Sequence, residues 1–271
     1  MIPGYNAPRP TKKNYDDFFN KLVDGLRLTD IRGLGLLVYG SVVRKEMNYG
    51  RSDIDAVLVF DDDTVINKRN LQECSTVLSW AMEGNNVPFQ VTVTDRRTMQ
   101  DGRFNAYNPS FRDYFMEEGL PVFGPDYRRE FRFAMPDHPD QNALTFNLRK
   151  CRQGLLFAEH DSRENYELFL QRFGKSLDAV SRGSKQVLGM IDGRVRKNRF
   201  SALSELEREF PKIDSAPLER IRHLYTHLDE LDALYSQPKQ IVEVWQSSLT
   251  FLEELIRRYM NRFPSISKPR G

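Results

Sequence analysis

The chain has 271 residues, long enough for one large domain or two modest ones. Its hydrophobic content of 39% and aromatic content of 11% exclude wholesale disorder, and 40 basic residues against 38 acidic ones leave a charge of +2, too small to require or exclude nucleic acid as a partner. Two distant cysteines, Cys74 and Cys151, make no disulfide framework, the first residues lack an apolar signal core, and no stretch approaches the ~20 apolar residues that span a bilayer; the expectation is a cytoplasmic protein with no membrane partner.

In chain order, an amphipathic helix is predicted from about Asn14, with Phe18, Phe19, Leu22, Val23 and Leu26 spaced for one face. The apolar run Leu34 to Tyr39 is too short for a helix and ends at Gly40, which predicts a buried strand. Asp53 to Phe60 predicts a second strand, closed by the acidic triplet Asp61 to Asp63. Leu71, Cys74, Leu78, Ala81 and Met82 recur at helical spacing, with Gly84 as a stop. Val87 to Thr94 alternates as a third strand, and a short helix from Phe111 to Gly119 leads into a turn and the segment Leu120 to Asp126. Prolines and titratable residues crowded between Met135 and Asp140 mark a boundary. Beyond it, segments 142–160, 164–192, 200–210, 216–234 and 238–262 carry apolar residues at helical spacing. These patterns predict an α+β chain: a domain with a mixed sheet and helices over 1–135, then an all-α helical bundle domain over 141–263.

Strand side chains alternate, so Asp53 and Asp55 are expected on one face with Cα atoms about 6–7 Å apart. Two carboxylates so placed suit a hard cation such as Mg2+ (or Mn2+), which commonly takes one or two carboxylates and completes its shell with water and substrate phosphates. Gly40 and Ser41 sit where a buried strand meets the segment Val42 to Met47, which has the length of a helical turn. A glycine there lets backbone approach a ligand, and amides with a hydroxyl at a helix start favour phosphate oxygens. Arg44, Lys45, Arg51 and Ser52 surround the same loop; each of its three cations either neutralises a triphosphate or pairs with a strand-end carboxylate. The bland alternative makes both aspartates ordinary polar residues on a solvated strand face.

Gly40-Ser41, eleven intervening residues and Asp53-Ile54-Asp55 together resemble the signature of the DNA polymerase β-like nucleotidyltransferase superfamily. Arg51 to Asp55 and Phe115 to Gly124 are similar to its small prokaryotic branch, which includes antibiotic adenylyltransferases. The match covers about residues 34 to 126. The resemblance implies a nucleotidyltransferase domain over 1–135 that moves a nucleoside monophosphate from ATP, or another nucleoside triphosphate, to a hydroxyl acceptor on a small molecule, a protein or an RNA. Asp53 and Asp55 would be the catalytic and metal residues, and the helical domain would close the cleft and select the acceptor.

The family pattern usually adds a third acidic residue on a neighbouring strand, and here Gln90 occupies the matching position. An amide is no general base at neutral pH. Either Asp95, five residues on, turns inward through a bulge, another group or the substrate supplies the base, or turnover is lost and the chain is a nucleotide-binding or regulatory protein of the same fold. Arg149, Lys150 and Arg152 either grip the nucleotide from the second half or form a solvated helix face. Arg222 and His227 resemble the Arg-four-residues-His motif of a helical ribonuclease family, which leaves open a toxin-antitoxin-like fusion; they are also ordinary helix-surface residues. The four histidines and two cysteines lack zinc spacing, Trp80 and Trp245 read as core, and the basic stretch Arg194 to Arg199 reads as a solvated loop or a polyanion contact.

Overall fold

The computed structural model describes residues 10–45, 47, 49, 52–105, 111–133, 138–164, 166–194, 196, 200–234 and 237–264. Helix α1 (Lys12–Arg27) buries Tyr15, Phe18, Leu22, Val23 and Leu26, the face that the apolar spacing predicts. Strand β1 (Gly35–Tyr39) leads into a single turn, α2 (Ser41–Arg44), and β2 (Ile54–Phe60) returns antiparallel to it. Helix α3 (Lys68–Met82) starts where the Asn67 side chain accepts the amides of Arg69 and Asn70 at 2.9 and 3.4 Å, satisfying two of the donors that a helix start leaves open. It carries the chain to β3 (Phe89–Asp95), parallel to β2. Short helices α4 (Arg96–Asp101) and α5 (Phe111–Glu118) precede β4 (Leu120–Phe123) and a 3₁₀ turn, Arg128–Glu130.

The sheet is mixed, in the order β3-β2-β1-β4. The segment after α5, to which the sequence patterns assign no element, is an edge strand paired with β1; Pro121 is tolerated there because an edge strand can lose a donor. Leu36, Val38, Ile54, Ala56, Leu58, Phe60, Val91 and Val93 belong to one large core with α1 and α3. The opposite face, with Leu37, Val57 and Val59, is covered by Met99 of α4, Phe115 of α5, Tyr127 and Phe131. Helices α1 and α3 approach so closely that a Cβ on Gly25 would lie 2.5 Å from Val77. Trp80, expected in the core, is 43% exposed with the Lys21 ammonium 6.0 Å from its ring.

The remaining described chain is helical: α6 (Pro139–Glu164), α7 (Tyr166–Asp192), α8 (Leu203–Glu209), α9 (Ala216–Thr226), α10 (Leu228–Leu234) and α11 (Pro238–Arg262). The segment expected as one helix over 216–234 breaks at His227, whose backbone (φ −127°, ψ 77°) leaves the helical region. No helix among the described residues is long and apolar enough to cross a membrane. Both cysteines are buried free thiols, and burial raises the pKa of each. The chain is thus a mixture of helices with a four-stranded mixed sheet, and its apolar core runs without a break from Phe104 and earlier residues to Leu144, Cys151 and Trp245 beyond the expected boundary.

The two halves share polar as well as apolar contacts. Arg152 of α6 is 1% exposed; its Nε donates to Glu253 of α11 at 2.8 Å, and its Nη2 donates to Asp95 of β3 and to the Thr64 carbonyl, each at 2.7 Å. Lys68 at the start of α3 donates to the other oxygen of Glu253 and to the Ile66 carbonyl at 2.6 Å. Burying this many charges is costly unless each is bonded, and here each is. Replacing Arg152 by Met should therefore strand Asp95 and Glu253 and destabilise the fold by about 3–5 kcal/mol. Urea denaturation checks this, with exposed Arg163→Ala as the control that should leave the midpoint unchanged; equal midpoints for both variants would show that the network does not hold the halves together.

Candidate functional site

The site forms where β1 ends. Gly40 has φ 76° and ψ −146°, a conformation essentially restricted to glycine, which turns the chain sharply from β1 into α2. The first helical hydrogen bonds run from the amides of Val43 and Arg44 to the Gly40 carbonyl at 3.1 Å, so the amides of Ser41 and Val42 lie ahead of the helical ladder. Across the sheet, Tyr39 of β1 stands opposite Asp55 of β2, and Asp55 is in register with Gln90 of β3. Residues in register share a face, and neighbouring strands lie about 4.8 Å apart. Tyr39, Asp55 and Gln90 therefore form one row beside the Gly40-Ser41 turn. Tyr39 has no place in the expected site, because its role depends on strand pairing that local sequence does not encode.

Asp53 immediately precedes β2 and Asp55 lies within it; both are partly buried, whereas Gln90 is exposed. Burial, with the charge of Asp53 added to it, pushes the Asp55 carboxyl up to about 6, while the cations of Arg149 and Arg44 pull the other way. A half-buried pair of like charges favours a bound cation, and two carboxylates offer the hard oxygen donors that magnesium takes. Among the described residues no group of three or more His, Cys, Asp and Glu side chains gathers to hold a metal. The donor set at this place is thus two carboxylates beside the amide of Gln90.

The residues expected around the phosphates fare differently. Ser41 is partly buried at the start of α2, and Arg44 is held by Glu118 of α5 at 2.8 Å. Lys45 is exposed and ends α2 in a left-handed conformation, φ 59°. Ser52 is anchored through its carbonyl, which accepts the Tyr15 hydroxyl at 2.5 Å. Arg51 lies outside the described residues.

Asp95 is at the wrong end of the sheet. It pairs with Phe60 in the register, five residues along β3 from Gln90 and so about 17 Å away. No bulge interrupts the β2/β3 pairing. Its buried carboxylate caps α4 through the Thr98 amide at 2.7 Å, accepts the Thr64 amide at 3.0 Å and pairs with Arg152. It is a structural anchor, and so is Arg152.

Arg149 belongs near the site. Its charge acts on Asp55, and its buried Nε has no hydrogen-bond partner. The three-residue offset between Arg149 and Arg152 along α6 was the available signal, since one helical turn separates them. Arg222 and His227 are exposed: Arg222 pairs with Glu219 at 2.5 Å, and the His227 ring stacks on His223, which contacts Glu230 at 2.6 Å. Trp245 is core, at 1% exposure. In the basic stretch, Arg196 is bonded to Asp192 and Glu205 at 2.7 and 2.6 Å, and 197–199 lie outside the described residues.

The raised pKa of Asp55 has a testable sign. A carboxyl that holds its proton more tightly when folded adds most to stability near pH 4 and below, and that contribution is lost as pH rises through about 6. Asp55→Asn should therefore be more stable than the parent at pH 7.5, by roughly 1 kcal/mol once solvent screening of a half-buried group is allowed for, and equal to it near pH 4. Carbon-13 NMR of the carboxyl should place its midpoint near 6 and move it down in Asp53→Asn; a midpoint near 4 in the parent would remove the electrostatic case for this pair.

Compared with known proteins, the chain matches no protein-family model and no curated protein.

Proposed function

We propose that this chain is a nucleotidyltransferase that moves a nucleoside monophosphate, most simply AMP from ATP, to an acceptor hydroxyl and releases pyrophosphate. The observation that carries the proposal is the convergence of Asp53 and Asp55 with the Gly40-Ser41 turn at one end of the sheet, with the Asp55 carboxyl pushed up to about 6. In this reading the turn seats the triphosphate, since glycine admits a close backbone approach and the Ser41 hydroxyl and leading amides can donate to phosphate oxygens. Asp53 and Asp55 would hold magnesium or manganese, which when bound supplies charge neutralisation for the triphosphate and the departing pyrophosphate. Arg149 from α6 and Arg44 from α2 add fixed positive charge on the same side. The arrangement suits an α+β enzyme with a sheet domain and a helical part that faces the acceptor.

In the transfer, the acceptor oxygen forms a bond to the α-phosphorus, the bond from that phosphorus to the bridging oxygen of pyrophosphate breaks, and the hydroxyl proton passes to solvent. Gln90 lies beside Asp55 but an amide cannot take that proton, so the chain positions its reactants without a third carboxylate at this register. The same residue favours a second reading, a protein that binds nucleotide through this site with little or no turnover.

Calorimetric titration with ATP and Mg2+ tests the shared part of both readings: the native chain should bind, and Asp53→Asn/Asp55→Asn should not. Absence of binding by the native chain would sink both. Labelled ATP then separates them. Measurable transfer to an acceptor supports the enzyme. If it is weak, Gln90→Glu should raise it by about 10²–10⁴-fold, the usual worth of a positioned base. No transfer by either form with any acceptor tried leaves the binding protein.

A further inference from the structure

Next to the site, α6 and α7 present a surface that Asp53 and Asp55 do not explain. Phe146 is 56% exposed although it is a large apolar side chain. One turn further on, the Lys150 ammonium stands 5.5 Å from the Phe146 ring centroid, and Arg149 occupies the adjacent position with its Nε unbonded. Lys175 of α7 lies near enough to oppose the charge on Lys150. The two helices are packed side by side here, Cys151 of α6 donating to the Ser176 carbonyl at 3.5 Å. Carboxylates on these two helices are already taken: Asp161 by Arg172 at 2.6 Å, Glu159 by Arg163 and Asp178 by Arg182. Arg149, Lys150 and Lys175 therefore form a group of cations with no ion pair among the described residues, although most other arginines on this surface have one.

Unneutralised cations packed close together repel one another, and an anion bound among them relieves that repulsion. An exposed aromatic ring among them adds a flat apolar face at the same place. Anionic groups spaced along a chain and flat rings between them are the two features of single-stranded nucleic acid, whose phosphates bind clustered Lys and Arg and whose bases stack on exposed aromatics. A cationic acceptor would be repelled, and an uncharged one would leave the cations unused.

We propose that the Phe146, Arg149 and Lys150 face of α6, with Lys175 of α7, binds a single-stranded nucleic acid and that its terminal hydroxyl is the acceptor of the transfer. Arg149 joins this face to the site, because it also acts on Asp55. The binding surface stands on its own; its role as acceptor site rests on the nucleotidyl-transfer reading above.

Fluorescence anisotropy with the full chain and a labelled 12-nucleotide single-stranded RNA, and its DNA counterpart, tests this. The native chain should bind at least one of them, and the stronger of the two identifies the sugar. Lys150→Glu/Lys175→Glu should weaken binding at least tenfold, and the neutral pair Lys150→Ala/Lys175→Ala should make log Kd less steep in log salt by about 1.4, two phosphate contacts at ~0.7 each. Phe146→Ala should cost about 5- to 150-fold, the range for one lost stack. Lys239→Glu, an exposed charge at the start of α11, should change nothing. The proposal is overturned if neither oligonucleotide binds, if the charge reversal matches the native chain, or if polyphosphate binds as tightly and Phe146→Ala has no effect. Asp53→Asn/Asp55→Asn separates the two levels: it should keep oligonucleotide binding and lose transfer. ATP binding without oligonucleotide binding defeats this proposal alone, and the reverse defeats the nucleotidyl-transfer reading, and with it the acceptor role, while the binding surface stands.

Discussion

One buried guanidinium sets the geometry on which the rest of the molecule depends. Arg152 reaches Asp95 at the end of β3, the Thr64 carbonyl in the loop after β2 and Glu253 on α11, and through Glu253 it is linked to Lys68 at the start of α3. Apolar packing alone allows α6 to slide or rotate over the sheet edge, because dispersion contacts are numerous and only weakly directional. A planar group with hydrogen bonds on several sides is directional, and it fixes both the height and the rotation of the helix. Whether the pair adds net stability over an apolar substitute is secondary to this positioning.

The consequence appears one turn earlier on the same helix. With Arg152 locked, Arg149 projects toward the other end of the sheet, where it influences Asp55, and Phe146 and Lys150 occupy the neighbouring exposed positions. Four residues within two turns of α6 thus have separate duties because helical geometry gives each its own direction. A substitution at Arg152 would be felt at the site without any contact to it, by the loss of a fixed orientation.

Elements whose signal is local were legible in the sequence. Helix α11 runs over the expected 238–262, and β1, β2 and β3 begin within two residues of the apolar runs that announce them. Strand β4 was not legible as a strand: four residues with a proline make sense only beside the edge of β1. Arg152 likewise has the composition of a solvated residue, and only three-dimensional closure with Asp95 and Glu253 turns it into a core group. At the candidate site, the sequence placed Asp53, Asp55, Gly40 and Gln90 together, and the register puts Asp55 beside Gln90. It could not place Tyr39 there, because strand pairing brings that residue in, and it left Arg149 between a grip on the nucleotide and a solvated helix face, because only tertiary packing tells these apart. Asp95 was open to either role by its residue type; the uninterrupted β2/β3 register decides it.

The two ends of the parallel pair β2 and β3 treat the same chemical group in opposite ways. At the end marked by Phe60 and Asp95, the carboxylate itself is fully bonded, by two backbone amides and a guanidinium. At the end marked by Asp55 and Gln90, a carboxylate half removed from water is set near another, and the compensating cations act on it from a distance. A fold optimised only for stability would resolve the second end as it resolves the first, since burial without a full set of partners costs free energy. Local conflict of this kind, in a chain that fully bonds the buried charges of Asp95, Arg152 and Glu253, is a mark of a place kept for a ligand. The ligand that resolves it must bring positive charge to Asp53 and Asp55 and negative charge to Arg149. A metal-bound phosphate ester carries both.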